Sequence, residues 1–496
     1  MTTVATQAGP RQLLAPLLPL LEPWLRTRRW YAAGSGAAGS GAAGSGAAGS
    51  GAAGSGAAGA AGAEVLTPVV ADVVRHEAPV LLHAVLRTGT GRLYQVLLGL
   101  RPELPGRLAG AAIGQVREGD WRGWTLYEAT EDAVLMGVLL HHLVRGARGG
   151  LRLERTTATP LPVSLVARPL TADQSNSAVG YGDRLLLKIY RRPEPGPNLE
   201  VETLRALTGA RCSRTPRLHG TLLSGDGTLV LGLMEDLLPA EGDGWQAAVR
   251  QVADCVDGAC TTVPATGGFT AHARALGTAI AEVHTALAGA FAPVRLTPDG
   301  IALEAARMTE RLALAAREVP ALARHRVGIT RLYDDYARAG ARGCPVLAQR
   351  VHGDLHLGQA LPTPAGWRLI DFEGEPARPA AERAAAQPVL KDVAGMLRSF
   401  DYAAQAGLRA LRERAPDDAP GVRLRRARRA HAWAVRNRRA FIAGYADTGG
   451  TDPHCHPLPL RAFEADKAVY EAVYESRHRP DWLPIPLAAV HRLART

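Results

Sequence analysis

Positions 349–376 read Q-R-V-H-G-D-L-H-L-G-Q-A-L-P-T-P-A-G-W-R-L-I-D-F-E-G-E-P. The stretch places His352 and Asp354 in a short turn and Gln359 five residues after Asp354. A strand, W-R-L-I, then delivers Asp371, Phe372 and Glu373. Kinase-type phosphoryl transfer uses this order: a loop aspartate meets the acceptor hydroxyl, an amide five residues on holds metal, and an acid at a strand end binds Mg²⁺. The spacing has a physical reason. A loop can turn Asp354 toward the acceptor and Gln359 toward the metal, while the hairpin partner brings Asp371 beside Gln359. An isolated H-x-D is as readily a turn whose polar groups bond one another; three elements in this order at this spacing are not.

The same chemistry demands an upstream cation for the ATP phosphates. Lys188 sits in L-L-L-K-I-Y, an apolar strand, and a lysine buried there needs a partner. As a phosphate ligand it would pair with an acid on the next helix, Glu202 being favoured and Glu200 the alternative. No G-x-G-x-x-G precedes Lys188. The polar turn Gln174, Ser175, Asn176, Ser177 can offer N–H groups and hydroxyls to phosphates in its place.

Around these motifs the chain is globular: 496 residues, 47% hydrophobic and 21% charged, a length that suggests two to four packed units. Its five cysteines form no paired framework, which fits a reducing cytoplasm. Prolines 16 and 19 break the apolar N-terminal stretch, so it does not read as an export signal. No run of about 18 apolar residues suggests a membrane span. The net charge of +11 comes with only three lysines, Lys188, Lys391 and Lys467. Arginines spread over most of the chain do not make a nucleic-acid stripe. The dense run at 423–439 reads as a solvated helix face or a basic patch.

Residues 34–58 repeat G-S-G-A-A and the bias continues to 63. Such sequence has nothing to bury and reads as a flexible loop. An apolar helical pattern precedes it (13–31), and short β-type runs follow it, V-L-L-H-A-V-L-R and Y-Q-V-L-L-G-L. Strand candidates recur through 164–234 with a helix at 198–208. Helices dominate from 245 onward, at 269–288, 301–317, 328–338, 392–408, 425–445 and 460–477. The fold expected is α+β and bilobal, a smaller β-containing part before a large helical one. His284 reads as a helix residue packed on the catalytic loop, and Asp392 as a helix cap bracing the His352 turn.

Near the C-terminus Lys467, Tyr470, Glu471 and Tyr474 fall at i, i+3, i+4 and i+7, one helical face. Rings stack on sugar C–H surfaces and charged groups bond hydroxyls, so this face suits a sugar; the same pattern also serves as a packing face. Trp482 reads as a lid or as core.

The chain resembles the actinobacterial maltokinases, in the aminoglycoside-phosphotransferase-like branch of the protein-kinase-like fold. The likeness rests on R-R-W-Y, Y-Q-V-L-L-G, T-A-D-Q-S-N-S, L-L-L-K-I-Y-R-R-P-E-P-G-P-N, Q-R-V-H-G-D-L-H-L-G-Q, I-D-F-E-G-E-P and D-K-A-V-Y-E-A-V-Y-E-S-R-H-R-P-D-W-L-P-I-P-L. It implies phosphorylation of maltose by ATP to maltose 1-phosphate, feeding α-glucan synthesis, with Asp354 as base, Gln359 and Asp371 on Mg²⁺ and Glu373 nearby. It implies an N-terminal cap over 1–108, an ATP-binding segment over 109–238 and a helical lobe over 239–496, with Mg-ATP between the lobes. Related kinases for other sugars or aminosugars, glucosamine among them, share the central signature. Maltose and ATP are thus the expected partners, without nucleic acid or membrane, in a monomer or homodimer.

Overall fold

The computed structural model describes residues 9–31, 65–146, 149–170, 176–257, 268–375, 378–448 and 451–495. The repeat at 34–63 and Ser175 lie outside them. Two compact units form, one from the described residues up to 205 together with 216–238, the other from 206–215 and 239 onward.

The first unit begins with helices α1 (Pro10–Leu14) and α2 (Leu18–Arg26). Strands β1 (Thr67–Arg75), β2 (Val80–Arg87), β3 (Leu93–Arg101), β4 (Ala112–Gln115) and β5 (Thr125–Glu128) form an antiparallel sheet in the order β1-β2-β3-β5-β4. Strand β2 reads as a continuous apolar run because both of its faces are covered. Leu82, Ala84 and Leu86 pack with Leu17, Leu21 and Trp24 of the N-terminal segment. Leu81 and Val85 point to the opposite core, with Leu139 and Leu140 of α3 (Ala133–Arg145). The expected boundary at 108 falls within this sheet, since β5 returns to pair with β3, Leu98 opposite Glu128.

Strands β6 (Leu151–Arg155), β7 (Ala167–Leu170), β8 (Ser177–Tyr181) and β9 (Leu185–Ile189) follow, then helix α4 (Leu199–Gly209) and strands β10 (Leu218–Ser224) and β11 (Val230–Asp236). Their sheet runs β6-β10-β11-β9-β8-β7. Of the polar turn expected before Lys188, Gln174 and Ser175 lie outside the described residues. Ser177 already belongs to β8, and Ala178 lies opposite Lys188 in the β8–β9 register.

The second unit is mainly helical. Helices α5 (Gly244–Asp257) and α6 (Phe269–Ala290) lead to strand β12 (Val294–Arg295), and helices α7 (Pro298–Glu318) and α8 (Arg326–Ala341) follow. Strand β13 (Leu347–Gln349) precedes the hairpin β14 (Ala360–Thr363) and β15 (Gly366–Leu369). A short helix α9 (Ala380–Ala384), strand β16 (Gln387–Pro388) and helices α10 (Leu390–Arg414), α11 (Pro420–Ala446), α12 (Pro457–His478) and α13 (Pro484–Leu493) complete it. Helices α6 and α11 approach to backbone distance because a Cβ on Gly444 would stand 1.9 Å from the Arg274 carbonyl. Several arginines of the basic run work inside this unit. Arg426 pairs with Asp418, and Arg438 bonds Asp401 and Glu464. No described helix is long and apolar enough to cross a membrane.

Candidate active site

The catalytic-type loop hangs between β13 and the β14–β15 hairpin, and its backbone is held by a carboxylate from α10. Asp392 accepts the His352 N–H at 2.8 Å and the Gly353 N–H at 2.9 Å. Its Oδ2 also lies 3.0 Å from His284 Nε2, whose other nitrogen faces the Tyr445 hydroxyl at 2.8 Å. Burial would push the Asp392 carboxyl up, but the His284 bond, nearby imidazole charge and these amides hold it below its ordinary value. Asp392 thus braces the loop from within the first turn of α10; no side chain caps that helix. Gly395, one turn on, lets α10 approach, because a Cβ there would stand 2.7 Å from the Leu355 carbonyl.

His352 is buried and points inward, its Nε2 donating to the Ile370 carbonyl at 2.9 Å and its ring packed on Phe372 at 4.7 Å. That contact ties the two halves of the motif together, 18 residues apart in sequence. The hairpin register does the rest. Ala360 lies opposite Leu369, and the Ile370 N–H bonds the Gln359 carbonyl at 3.0 Å. Gln359 Nε2 then reaches Asp371 Oδ2 at 2.7 Å.

Asp371 has φ +66°, in the left-handed region that residues other than glycine seldom occupy. A backbone conformation of that kind aims a side chain where a strand end would not. Asp371, Gln359 and Glu373 supply hard oxygen donors, half-buried, and that chemistry fits Mg²⁺.

Helix α12 brings its face to this loop in part. Lys467 Nζ lies 3.4 Å from Asp354 Oδ1 and 3.7 Å from Glu375 Oε1, and sits 4.9 Å over the Tyr470 ring. Burial works against its charge; Glu375 and Asp354 outweigh that and hold the ammonium well above its ordinary value. Burial, with Glu375 adding, pushes the Tyr470 hydroxyl up to about 12. The next residue of the face, Glu471, expected to bind sugar, pairs with Arg398 of α10 at 2.8 Å, and Arg398 is 1% exposed. Tyr474 packs on His478 at 4.6 Å with the Arg479 guanidinium 5.7 Å from its ring. Trp482 stacks on Tyr402 at 6.1 Å.

In the first unit, Lys188 is buried and its partner is Glu200, at 3.1 Å, not the favoured Glu202. Residues two apart on a helix point nearly opposite ways. Glu200 shares the buried face of α4 with Thr203, Leu204 and Leu207, whereas Glu202 is turned about 200° from it. The Tyr190 hydroxyl donates to Glu200 Oε2 at 2.7 Å and fixes the carboxylate further. Asn176 is buried, and the Ser177 hydroxyl accepts from Arg191 Nε at 2.8 Å.

Sequence reasoning passed over Glu375, the third acid of D-F-E-G-E, although it lies within the motif. Burial would raise its carboxyl, but Lys467 and Arg378 outweigh burial and hold it below the ordinary range. Besides the nearby Arg378, it has a partner on α12, 92 positions away by residue number.

A sheet-rich unit carrying a lysine–glutamate pair, followed by a helical unit carrying an H-G-D loop and a D-F-E hairpin, defines a phosphotransferase with a kinase-like fold. The family model described as the phosphotransferase enzyme family matches residues 166–431, and the chain belongs to that family. The maltokinase N-terminal cap domain matches residues 55–132. The chain is 31% identical over 415 residues to a glucosamine kinase of Streptacidiphilus jiangxiensis, covering 76% of this chain and 87% of that one. It is 32% identical over 340 residues to a glucosamine kinase of Mycolicibacterium smegmatis, covering 66% and 79%. Among solved structures, a glucosamine kinase in complex with glucosamine, ADP and inorganic phosphate superposes with a TM-score of 0.63 at 23% identity, covering 86% of this chain and 94% of that one. This last likeness concerns the fold.

Proposed function

We propose that the protein transfers the γ-phosphoryl group of ATP to the anomeric hydroxyl of maltose, giving ADP and maltose 1-phosphate for α-glucan synthesis. The observation that carries this reading is the Lys467 ammonium beside the Asp354 carboxylate. A site whose carboxylates already hold an internal cation suits a neutral sugar hydroxyl better than a second ammonium group. The cap-domain match and the C-terminal D-K-A-V-Y-E-A-V-Y-E stretch point the same way.

In this reading Asp354 accepts the hydroxyl proton as the sugar oxygen bonds to phosphorus and the bond to the ADP oxygen breaks. Lys467 and Tyr470 orient the acceptor. Lys188, positioned by Glu200, binds the nucleotide phosphates. Asp371 and Gln359, with Glu373 nearby, would hold Mg²⁺, which would supply charge neutralisation at the phosphates. Glu471, paired with Arg398, and Tyr474, packed on His478, complete the face proposed for the acceptor, with Lys467 and Tyr470 nearest the catalytic loop.

A second reading, phosphorylation of an aminosugar, is favoured by the two glucosamine kinase relatives. ADP release measured against maltose, glucosamine, glucose and trehalose, with phosphorus NMR of the product, separates the two. Turnover of maltose with a product carrying an anomeric phosphate is the expected result. Turnover of glucosamine alone would keep the fold and the roles and replace the acceptor.

A further inference from the structure

Two stretches of the first unit have no part in the chemistry above: the R-R-W-Y segment that ends the N-terminal helices, and the Y-Q-V-L-L-G segment of β3. Both converge on the end of the strand that carries Lys188. Arg191, three residues past that lysine, is 1% exposed. Its Nε donates to Ser177 Oγ at 2.8 Å, and one terminal nitrogen donates to Glu128 Oε1 at 2.8 Å and Thr130 Oγ1 at 3.3 Å. The guanidinium carbon lies 5.1 Å from the Trp30 ring. Glu128 ends β5 of the cap sheet, and Ser177 opens β8, where the next residue lies opposite Lys188.

Gln95 of β3 makes a second link. Its backbone N–H bonds the Arg191 carbonyl at 3.0 Å. With its side-chain amide turned to donate, its nitrogen reaches the Leu231 and Tyr190 carbonyls at 2.7 and 2.8 Å. Tyr190 in turn holds Glu200, the partner of Lys188. A buried cation is costly unless every donor finds a place. Arg191 spends its planar fork joining the cap sheet to the foot of the β8–β9 hairpin, a geometry a lysine cannot reproduce.

We propose that Arg191 is a positioning residue through which the cap sheet sets the Lys188 strand, so that nucleotide affinity depends on the Glu128–Arg191–Ser177 connection. The proposal rests on reading Lys188 as the phosphate ligand. Its test measures ADP and ATP dissociation constants by calorimetry without any sugar, then KM for ATP and for the acceptor, in wild type, Arg191→Lys, Ser177→Ala and the double variant. Both single variants should weaken nucleotide binding about 3- to 30-fold and leave KM for the sugar within a factor of about two. The double variant should be less than the product of the two, because both break one link. Glu128→Gln, which retains an acceptor oxygen, should fall between wild type and Arg191→Lys. Undiminished nucleotide binding in both single variants would overturn the proposal. So would equal rises in both KM values, or a lowered melting temperature with unchanged nucleotide affinity, since those mark a merely structural role. If wild type itself binds no nucleotide, the reading of Lys188 fails and the proposal with it. Should Arg191→Lys not fold, Glu128→Gln, at a residue with no proposed nucleotide contact, still decides.

Discussion

Lys467 Nζ stands 3.4 Å from Asp354 Oδ1, joining α12 to the catalytic-type loop across 113 residues of sequence. The ammonium also meets Glu375 at 3.7 Å, so one cation serves two acids. The proposed base therefore shares its cation with a second carboxylate, and its loop is fixed from behind by Asp392.

Asp354→Asn keeps the shape of the loop and removes the proton acceptor. We expect kcat to fall by roughly 10²–10⁴-fold, with nucleotide binding retained. Parallel measurements of ADP release and nucleotide affinity check this. A variant keeping more than about half of wild-type kcat would take Asp354 out of the proton transfer.

Asp371→Asn tests the metal role without disturbing the backbone, since asparagine tolerates φ near +66°. Activity should fall at least about 100-fold, because the metal's share of phosphoryl charge stabilisation is lost. The melting temperature should stay near wild type. Excess chelator should abolish turnover by wild type, and added Mg²⁺ should restore it. Full activity in chelator would sink the assignment.

Glu375 gives a pH signature. Its folded value lies below its ordinary 4.5, so its contribution to stability is present above that value and is lost as pH falls through the lowered one. Wild type should therefore lose melting temperature on acidification from about pH 5 to about pH 3 more steeply than Glu375→Gln. Parallel acid slopes for the two proteins would show that the ion pair with Lys467 contributes nothing. The Lys467 ammonium, raised above its ordinary value, stays charged throughout this window.

Glu471 and Tyr470 separate structure from substrate contact on one helix. Removing Glu471 strips a partner from the buried Arg398, and Glu471→Ala should cost about 3–5 kcal/mol in urea unfolding. Tyr470→Ala should instead raise KM for the acceptor, by about 5- to 150-fold in kcat/KM, with little change in KM for ATP. If Glu471→Ala is stable and specifically loses acceptor affinity, the carboxylate reaches the sugar after all.

Much of this molecule is written locally. The H-G-D loop, its amide five residues on and the D-F-E strand end follow from spacing, because a tight hairpin closes within a few residues and its register is fixed by pairing Ala360 with Leu369. The long helices are legible for a similar reason: the 3.6-residue period of buried positions is a property of the chain itself, and the expected spans at 301–317 and 460–477 lie inside α7 and α12.

What the period leaves open is which flank of a face meets which neighbour. Glu200 and Glu202 are equivalent by composition, and only the packing of Thr203, Leu204 and Leu207 turns the former toward Lys188. Lys467 and Glu471 share a face by spacing; α10 then claims Glu471 through Arg398, while Lys467 meets Asp354. The cap boundary was illegible too, since no local pattern announces that β5 will return to β3. Local sequence thus determined the elements and the order of the chemical groups, because hydrogen-bond periodicity acts over a few residues. Tertiary structure decided the pairing of Lys188 with Glu200, of Glu471 with Arg398 and of Glu375 with Lys467, because a buried charge is settled by the neighbours that can compensate it, and these lie on other elements of the chain.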